Sequence, residues 1–579
     1  MSTLMQASTT AYTRRKTVYD LSCWLPLLVG ISASIVAFNA QYEGFFNPYI
    51  INGDVPQHIY WMQQFRDSEL FKNDLLTEFA KSIQPWGAVF VYRLFASVIE
   101  PLFLCKILPV VLCAISSVYL FKLLRHLAGP LAGLIGAALF LVMPVFQGVL
   151  AGGTPRAYSY PLIISFLYFL SRRDYFKTAV VLVLQPLFYP SVFFICGLTF
   201  FLTLLGDRSA VVLQLQLIKV RWFIVSVVIG ISILGAKYIL ASNSDLGGIV
   251  TKQQVENWPE LGVNGRYAII PTSPIHSALM QQTRATLMSF ITESPLYFAS
   301  RLVRPDSVHP GQIKDLLALI CPFVFAALTL FVLLESRKGQ FRISAELIYL
   351  FIASLVMYVA ADWLFLRLWL PARYIQYSIP LIIVMILSIA MMTLIDKLRP
   401  VSVRNICACA LLIVLGLHFD LNKNVGMDDQ SANQELFKYM ETLPKDALIA
   451  AHPATADYIP TFSRRKVFLN YELSQPYVDK YWFAIRARTF EFFDAYYSSD
   501  GSEILRFCAK HNIDYLVVDR RHFSPTYLKA KKVYFEPFNS YIKELMAKQA
   551  RYAILDLPGK HTELPGGLIF VIDVRRLRV

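Results

Sequence analysis

Residues 21–40 read LSCWLPLLVGISASIVAFNA, and a few positions later residues 47–61 read NPYIINGDVPQHIYW. The first stretch has no charged residue over about 20 positions, the length that an α-helix needs to cross the apolar part of a bilayer. The second contains an acid, Asp54, and a histidine, His58, whose spacing of four would put both side chains on one face of a helix. An early predicted membrane span is thus followed at once by ionisable side chains.

The composition predicts a polytopic membrane protein. Of the 579 residues, 56% are hydrophobic and only 16% are charged, whereas about a quarter of the residues of a soluble protein are charged. The net charge of +15 does not indicate nucleic-acid binding, because the basic residues cluster at the ends of apolar segments, where they orient membrane helices. Of the eight cysteines, only Cys508 lies in the polar C-terminal part, so we expect no internal disulfide there.

Hydropathy predicts about eleven transmembrane helices. With the N-terminus inside, the basic runs of the inner turns all fall on one side, and an odd number of spans then places the C-terminus outside. The predicted spans are 21–40, 102–121, 128–150, 158–171, 177–190, 191–205, 222–241, 315–335, 345–366, 375–395 and 403–419.

The expected fold is an all-α polytopic membrane domain followed by a C-terminal extracytoplasmic α/β domain. Residues 1–20 are predicted to form a cytoplasmic stub, and residues 21–419 the membrane domain, with large outer loops at 41–101 and 242–314. Residues 420–579 alternate β-branched runs with amphipathic helical ones, and they are numerous enough for a core of their own. The informative runs are ALIAAHP (447–453), KVFLNYE (466–472), SEILRFCAKHNIDYLVVDRR (502–521) and GLIFVIDV (567–574).

Asp54 is the first candidate catalytic residue. A carboxylate at the membrane surface can act as a general base toward a hydroxyl, which typically contributes ~10²–10⁴ in rate. His58 would then orient Asp54 or contact a substrate. The competing interpretation is that Asp54 caps the helix predicted at QHIYWMQQF, since Asp is a favoured N-cap.

Arginines on the predicted outer side are unexpected, because the basic residues of membrane proteins concentrate in the inner loops. Arg156 lies in GGTPRAYSYP (152–161), and Arg373 lies beside Tyr374 in RLWLPARYIQYSIP (367–380). A guanidinium group can pair with two phosphate oxygens at once, so these positions are candidate phosphate-binding sites. The alternatives are a snorkelling Arg156 and, around Arg373, aromatic anchoring at the membrane boundary.

The second outer loop is basic and is a candidate cap for a cleft that holds an anionic head group. Taken singly, its polar residues are equally well explained as solvated or ion-paired. They include Lys252, Glu256, Arg266, Tyr267, His276 and Arg284.

Other chemistries have little support. The chain contains no P-loop, no HExxH and no CxxC pair. His452 and Asp457 in AHPATADYIP could be imagined as metal ligands, but no further ligand stands near them in the sequence. A transporter would show ionisable residues at mid-membrane, and Asp362, near a predicted helix end, is the one clear candidate.

The layout resembles that of the GT-C glycosyltransferases, which include protein O-mannosyltransferases, lipid A aminoarabinose transferases and oligosaccharyltransferases. The resemblance lies in an acid directly after span one, about eleven spans, an outer C-terminal α/β domain, and the strings GDVPQHIYW and PARYIQYSIP. It implies that Asp54 is the catalytic base and that Arg373 binds phosphate. Val55 stands where the mannosyltransferases commonly have Glu after the acid, and the WWDYG motif of oligosaccharyltransferases does not occur.

The resemblance also implies the partners. The donor would be a sugar on polyprenyl phosphate, taken from among the membrane lipids, and the acceptor a glycan, glycolipid or protein, with inversion at the anomeric carbon. Arg156, Arg266, Arg373, Tyr374 and His58 are the candidate substrate-binding residues. No cofactor is certain, and a divalent metal is compatible with the resemblance but has no ligand motif here.

Two alternatives remain open at the level of sequence. One is a transferase of the O-antigen-ligase type, in which Arg266, His276 or Arg284 would matter more than Asp54. The other is a non-catalytic or transport protein of the membrane. The absence of paired outer cysteines fits a bacterial inner membrane, with the C-terminal domain in the periplasm.

Overall fold

The computed structural model describes residues 24–206, 213–242, 245–292, 310–338, 344–416, 424–530, 532–549, 551–557 and 561–577. The predicted cytoplasmic stub lies outside these residues, as do part of the second outer loop and the predicted start of the C-terminal domain. The described chain is mainly helical and contains two small sheets.

Five helices among the described residues are long and apolar enough to cross a membrane, and a bent helix pair is a sixth candidate. Shorter apolar helices cover several of the other predicted spans, so the count of about eleven stays a prediction. The five long helices are Pro101–Ala128, Gln216–Leu240, Asp315–Ser336, Ala345–Trp363 and Arg373–Asp396. The shorter ones are Trp24–Ala40, Trp86–Phe95, Tyr175–Phe188, Pro190–Leu205 and Val401–Gly416, together with Ser159–Ser171.

The bent pair replaces the straight span predicted at 128–150. Its two parts, Pro130–Val142 and Pro144–Gly153, meet at an angle of 67°. Met143 between them has extended backbone, because a residue that precedes proline is pushed out of the helical region. The bend brings the turn that contains Arg156 beside the first outer segment.

The predicted first outer loop, called the first outer segment below, consists of short helices. It lies between the apolar helices Trp24–Ala40 and Pro101–Ala128. The short helices are Tyr42–Phe46, Val55–His58, Leu75–Ile83 and Trp86–Phe95. Lys106, a buried lysine of the helix Pro101–Ala128, donates to the backbone oxygens of Gly44 at 2.6 Å and Asn47 at 3.1 Å. A lysine can be buried in this way because backbone carbonyls satisfy its donors. This contact ties the segment that leads to Asp54 to a long membrane helix.

The second outer segment contains the helices Lys252–Val255 and Ile275–Thr292. The latter packs against Pro310–Ser336 and Ser378–Asp396. This part of the chain is therefore an ordered layer against the helix bundle.

The C-terminal part contains a sheet and helices, as predicted. Its five strands are β3 (Leu448–Ala450), β4 (Lys466–Val467), β5 (Tyr515–Asp519), β6 (His561–Glu563) and β7 (Ile569–Asp573). They form a mixed sheet in the order β4-β3-β5-β7-β6. In this sheet β3 is parallel to β4 and β5, while β7 is antiparallel to β5 and β6. The main helices of this part are Gln434–Glu441, Asp479–Tyr496, Gly501–Lys510 and Phe538–Lys548.

A second, two-stranded sheet joins the two halves of the molecule. β1 (Ile50–Ile51) pairs antiparallel with β2 (Asp428–Asp429), which leads into the C-terminal domain. Gly53 follows β1, and a Cβ atom at this position would lie 2.6 Å from Oδ2 of Asp428. A side chain directly before Asp54 would therefore have to displace the carboxylate of Asp428.

Candidate active site

Asp54 lies one residue before the short helix Val55–His58, and its carboxylate does not cap that helix. The backbone N–H of Asp54 donates to Oδ1 of Asn52 at 3.1 Å. Its own Oδ2 lies 2.9 Å from Nη1 of Arg156, and 30% of the Asp54 side chain is exposed. The N-cap interpretation is therefore wrong, because the carboxylate points to an arginine rather than to the backbone of its helix.

Arg156 reaches Asp54 from the turn after the bent helix pair. Gly152 in this turn has a φ of +79°, and a Cβ atom there would lie 2.4 Å from Cβ of Asn52, so the turn packs directly against the segment before Asp54. Besides the ion pair, Nη2 of Arg156 donates to the backbone oxygen of Gly148 at 3.5 Å. Nε is buried without a hydrogen-bond partner. Arg156 therefore points toward Asp54 and the turn, and does not snorkel.

Arg373 supplies the second cation of the site. It opens the helix Arg373–Gln376, and its Nη1 donates to the hydroxyl of Tyr377 at 3.1 Å and to Oε1 of Gln376 at 3.3 Å. The Tyr377 hydroxyl is 2.9 Å from the hydroxyl of Tyr189. The charge of Arg373 interacts with both Asp54 and His58, so the two sequence-predicted arginines converge on the predicted base.

Tyr374 does not join this group in the way that the sequence suggested. The side chain is buried, and its hydroxyl donates to the backbone oxygen of Leu368. Tyr377, one helical turn after Arg373, is the tyrosine that contacts the guanidinium. Tyr377 lies in the same motif, PARYIQYSIP, but was not predicted as a substrate-binding residue. The sequence alone cannot tell which of two tyrosines three positions apart contacts the arginine.

His58 is oriented by Gln84 and is neutral over the physiological pH range. The side-chain amide of Gln84 lies within hydrogen-bond distance of Nδ1 of His58, with Nε2 at 2.9 Å and Oε1 at 3.3 Å. Burial lowers the pKa of His58 to about 4, although the charge of Asp54 opposes this shift. Lys237 donates to the backbone oxygen of Gln84 at 2.7 Å and so fixes the residue that holds His58.

A second carboxylate approaches from the C-terminal domain. Glu472, in the turn after β4, pairs with Arg266 at 3.3 Å, and both side chains are largely buried, with 19% and 9% exposed. Burial raises the pKa of Glu472 to about 6; the charge of Arg266 opposes this rise, and the charge of Asp54 adds to it. The charge of Asp54 thus acts on Glu472, so this segment of the C-terminal part lies near Asp54.

Two further acidic residues, Asp457 and Asp428, lie close to Glu472. The backbone N–H of Glu472 donates to Oδ1 of Asp457 at 2.8 Å, and burial together with the charge of Glu472 raises the pKa of Asp457 well above its usual range. Asp428 accepts from the hydroxyl of Tyr458 at 2.9 Å. Glu472 was not among the predicted site residues, because KVFLNYE (466–472) was predicted as a continuous β-branched run, whereas β4 ends at Val467.

Three basic residues of the second outer loop, Arg266, His276 and Arg284, lie at two separate places in the structure. Arg266 stacks over the ring of Tyr471 at 4.0 Å and belongs with Glu472. His276 and Arg284 lie along the helix Ile275–Thr292, where they line a separate cavity of about 570 Å³. The structure therefore does not gather Arg266, His276 and Arg284 into one anion site.

Within the described ranges, no three His, Cys, Asp or Glu side chains form a group that could hold a metal ion. Asp54 has an arginine as its ion-pair partner. His452, once considered with Asp457, accepts from the backbone N–H of Ala454 and contacts the hydroxyl of Tyr527 at 3.0 Å. The described residues thus give no donor set through which a metal-dependent step can be derived.

The fold has known counterparts, although no protein-family model matches the sequence and comparison with curated proteins gives no significant match. The apo oligosaccharyltransferase of Archaeoglobus fulgidus superposes with a TM-score of 0.52 and 14% sequence identity, over 87% of this chain and 71% of that one. The same organism's AglB with an inhibitory peptide and a dolichol-phosphate gives 0.49 at 13% identity, over 88% and 71%. ArnT from Cupriavidus metallidurans in the apo state gives 0.46 at 12% identity, over 87% and 94%.

The first of these similarities is the one that carries the fold assignment. It extends over both the helical and the C-terminal parts of the chain, as the sequence resemblance predicts. Among the described residues, the acid after the first apolar helix, the long apolar helices and the C-terminal sheet occur in the predicted order. The chain therefore has the fold of the Archaeoglobus fulgidus oligosaccharyltransferase.

Proposed function

We propose that this protein is a membrane glycosyltransferase that transfers a sugar from a polyprenyl-phosphate-linked donor to an extracytoplasmic acceptor. The observation that carries the proposal is the convergence of Asp54, Arg156 and Arg373 at one end of the apolar helices. Two guanidinium groups and one carboxylate form a site in which positive charge is in excess. Such a site suits a phosphate that departs from an anomeric carbon beside a general base.

The ion pair between Asp54 and Arg156 is the part of the site that substrate would reorganise. A donor phosphate bound between Arg156 and Arg373 would compete with Asp54 for the guanidinium of Arg156, since phosphate is also a bidentate acceptor. Asp54 would then be free to accept the proton of the acceptor hydroxyl. Because the pair is partly exposed, a ligand can reach it without unfolding the protein.

In the reaction, the acceptor oxygen attacks the anomeric carbon as Asp54 removes its proton, and the carbon–oxygen bond to the lipid phosphate breaks. The bond electrons leave with the phosphate, whose charge Arg156 and Arg373 stabilise. Attack opposite to the leaving phosphate inverts the anomeric configuration. At Nε2, neutral His58 can form a hydrogen bond with a sugar hydroxyl but, with its low pKa, carries no charge of its own.

The C-terminal domain would contribute to the acceptor side. Its segment around Glu472 contacts both the second outer loop, through Arg266, and the helix of Asp54, through the hydrogen bond of Gln57 to Tyr477 at 3.5 Å. A carboxylate next to the base is suited to accept a hydrogen bond from an acceptor hydroxyl. The acceptor class, whether glycan, glycolipid or protein, remains open in this proposal.

The proposed location is a bacterial inner membrane with this site on the periplasmic side. That orientation rests on the basic residues of the predicted inner turns. The donor would enter from the membrane plane, and the helix Ile275–Thr292, which packs on the bundle, would border its path.

The test uses the native host. The gene is deleted and restored with wild type, Asp54→Asn or Asp67→Asn at matched membrane levels, and the envelope glycans and glycolipids are compared by mass spectrometry. Asp67 is a matched control, because it is an acid of the same outer segment that pairs with Lys445 at the surface. We expect a sugar-sized mass increment to disappear on deletion and to return with wild type and Asp67→Asn, but not with Asp54→Asn.

Restoration by Asp54→Asn would contradict the proposed mechanism. If Arg284→Ala and His276→Ala then abolished the product, the ligase-type alternative would replace it. If deletion changed no glycan or glycolipid, the transferase proposal itself would be wrong.

A further inference from the structure

A second polar cavity lies at the same end of the helices but involves none of the residues assigned to the transfer reaction. It has a volume of about 680 Å³ and lies between the start of the second outer segment and the end of the helix Ala345–Trp363. Its lining includes Lys252, Glu256, Asp362, Trp363, Phe365 and Arg367. Since one candidate span ends at Trp363 and the next begins at Arg373, the cavity faces the membrane boundary.

The turn that forms one wall of the cavity has an unusual backbone. Leu366 and Trp369 have φ values of +61° and +66°, a region that bulky residues rarely adopt and that is found preferentially at functional sites. The two residues form an isolated β-bridge with each other. This tight turn presents Arg367, which is exposed, to the cavity.

The charges of the lining are balanced but are not all paired. Lys252 and Asp362 form an ion pair at 3.0 Å. Among the described residues, the side chains of Arg367 and Glu256 have neither an ion pair nor a hydrogen bond. The cavity therefore offers one free cation and one free anion, and a ligand that satisfies both must itself carry both charges.

The apolar part of the lining indicates where the rest of the ligand lies. Trp363 is 81% exposed and Leu364 is also exposed, while Phe365 is buried beneath the cavity. Tryptophan at the end of a membrane helix typically lies at the level of lipid head groups. A ligand bound here would have a charged head in the cavity and an apolar tail along the end of the helix.

We propose that this cavity binds the phosphoethanolamine head group of a phospholipid. The guanidinium of Arg367 pairs with the phosphodiester, Glu256 accepts from the primary ammonium group, and the acyl chains pass Trp363 and Leu364. The turn leads directly to Arg373, so under the proposed function the lipid would also hold that arginine in place. Lipid binding itself does not depend on that function.

The experiment measures lipid binding to the purified full-length protein by native mass spectrometry. The delipidated protein in detergent is titrated with phosphatidylethanolamine, phosphatidylglycerol or phosphatidylcholine of the same chain length. We expect phosphatidylethanolamine to be retained preferentially, and its binding to fall at least about fivefold in Arg367→Ala and in Glu256→Gln, since each loses a hydrogen bond to a charged group. Arg506→Ala, on an exposed face of the C-terminal domain, is the control and should bind as wild type.

The other outcomes overturn the proposal in distinct ways. Equal or stronger retention of phosphatidylglycerol would show an anion site without recognition of the amine. Equal retention of phosphatidylcholine, whose ammonium has no N–H donor, would remove the role of Glu256. Unchanged binding in monodisperse Arg367→Ala would exclude this cavity. No sugar donor is present, so loss of transfer in cells and loss of lipid binding are separate results.

Discussion

Two arginine–carboxylate pairs meet at the candidate active site, and they differ in burial. The pair of Arg156 and Asp54 belongs to the membrane half, and its side chains are 24% and 30% exposed. The pair of Arg266 and Glu472 joins the second outer loop to the C-terminal domain, with only 9% and 19% exposed. A partly exposed pair can exchange its partner for a ligand, whereas a buried pair holds segments together, because separating it leaves a charge in a poor environment.

The largest expected effect is on the amount of transfer product, and it concerns Arg373, which lies near the partly exposed pair of Arg156 and Asp54. We expect Arg373→Met to lower the amount of transfer product by ~10²–10³, since Arg373 would stabilise charge that develops on the leaving phosphate. The product is quantified by mass spectrometry of envelope glycans and glycolipids in the complemented deletion strain. Arg464→Met, which removes an arginine from an exposed ion pair with Glu100, is the matched control. An unchanged product level in Arg373→Met would remove Arg373 from the mechanism.

The next prediction compares the two pairs directly. Arg266→Met leaves Glu472 buried beside Asp457, and we expect it to lower the free energy of unfolding by about 3 kcal/mol. Arg156→Met breaks a more exposed pair and should cost within about 1 kcal/mol. Both are measured by thermal or denaturant unfolding of the purified protein in one detergent. Equal losses would contradict the assignment of different roles to the two pairs.

The third prediction concerns pH. The pKa of Glu472 is raised to about 6 in the folded protein from its usual value of 4.5, so the folded state binds more protons between these values. Stability from this group is therefore fully present below pH 4.5 and is lost as the pH rises through 6, by at most about 2 kcal/mol. Asp457, whose pKa is also raised, changes stability in the same direction.

The measurement is the unfolding temperature of wild type and Glu472→Gln between pH 4.5 and 7.5. Because the lowered pKa of His58 adds stability as the pH rises over the same range, the contribution of Glu472 is the difference between the two proteins. Wild type should lose stability relative to Glu472→Gln as the pH rises through 6. An advantage of wild type over Glu472→Gln that grew as the pH rose through this window would contradict the raised pKa of Glu472.

The contrast between the two pairs also explains how far the sequence could lead. Asp54, Arg156 and Arg373 were predicted as site residues because ionisable residues close to the membrane are costly, and arginines are uncommon on the outer side. Glu472 gave no such signal, since an acid in a polar C-terminal part is ordinary. Its role depends on the pairing of β1 with β2, which brings together segments that lie far apart in the chain and that no periodicity connects.

The fold itself was predictable in outline for a similar reason. Apolar length identifies membrane helices, and alternating runs identify the sheet, as with DYLVVD, which contains β5. The bend at Met143 was not predicted, because it depends on a local backbone preference before Pro144. The extended turn after β4, which positions Glu472, was likewise read as a continuing strand.

The smallest expected effect separates two tyrosines that the sequence could not tell apart. Tyr377→Phe removes the hydroxyl that accepts from Arg373 and contacts Tyr189, so we expect about a tenfold loss of product with a small change in stability. Tyr374→Phe removes a hydrogen bond to the backbone oxygen of Leu368, and its main effect should be a loss of about 1 kcal/mol in the free energy of unfolding. Product level and unfolding are measured on both variants. If Tyr374→Phe lowered the product more than Tyr377→Phe did, the sequence-based choice of Tyr374 would be right, and the helix at Arg373 would have to turn in the complex with substrate.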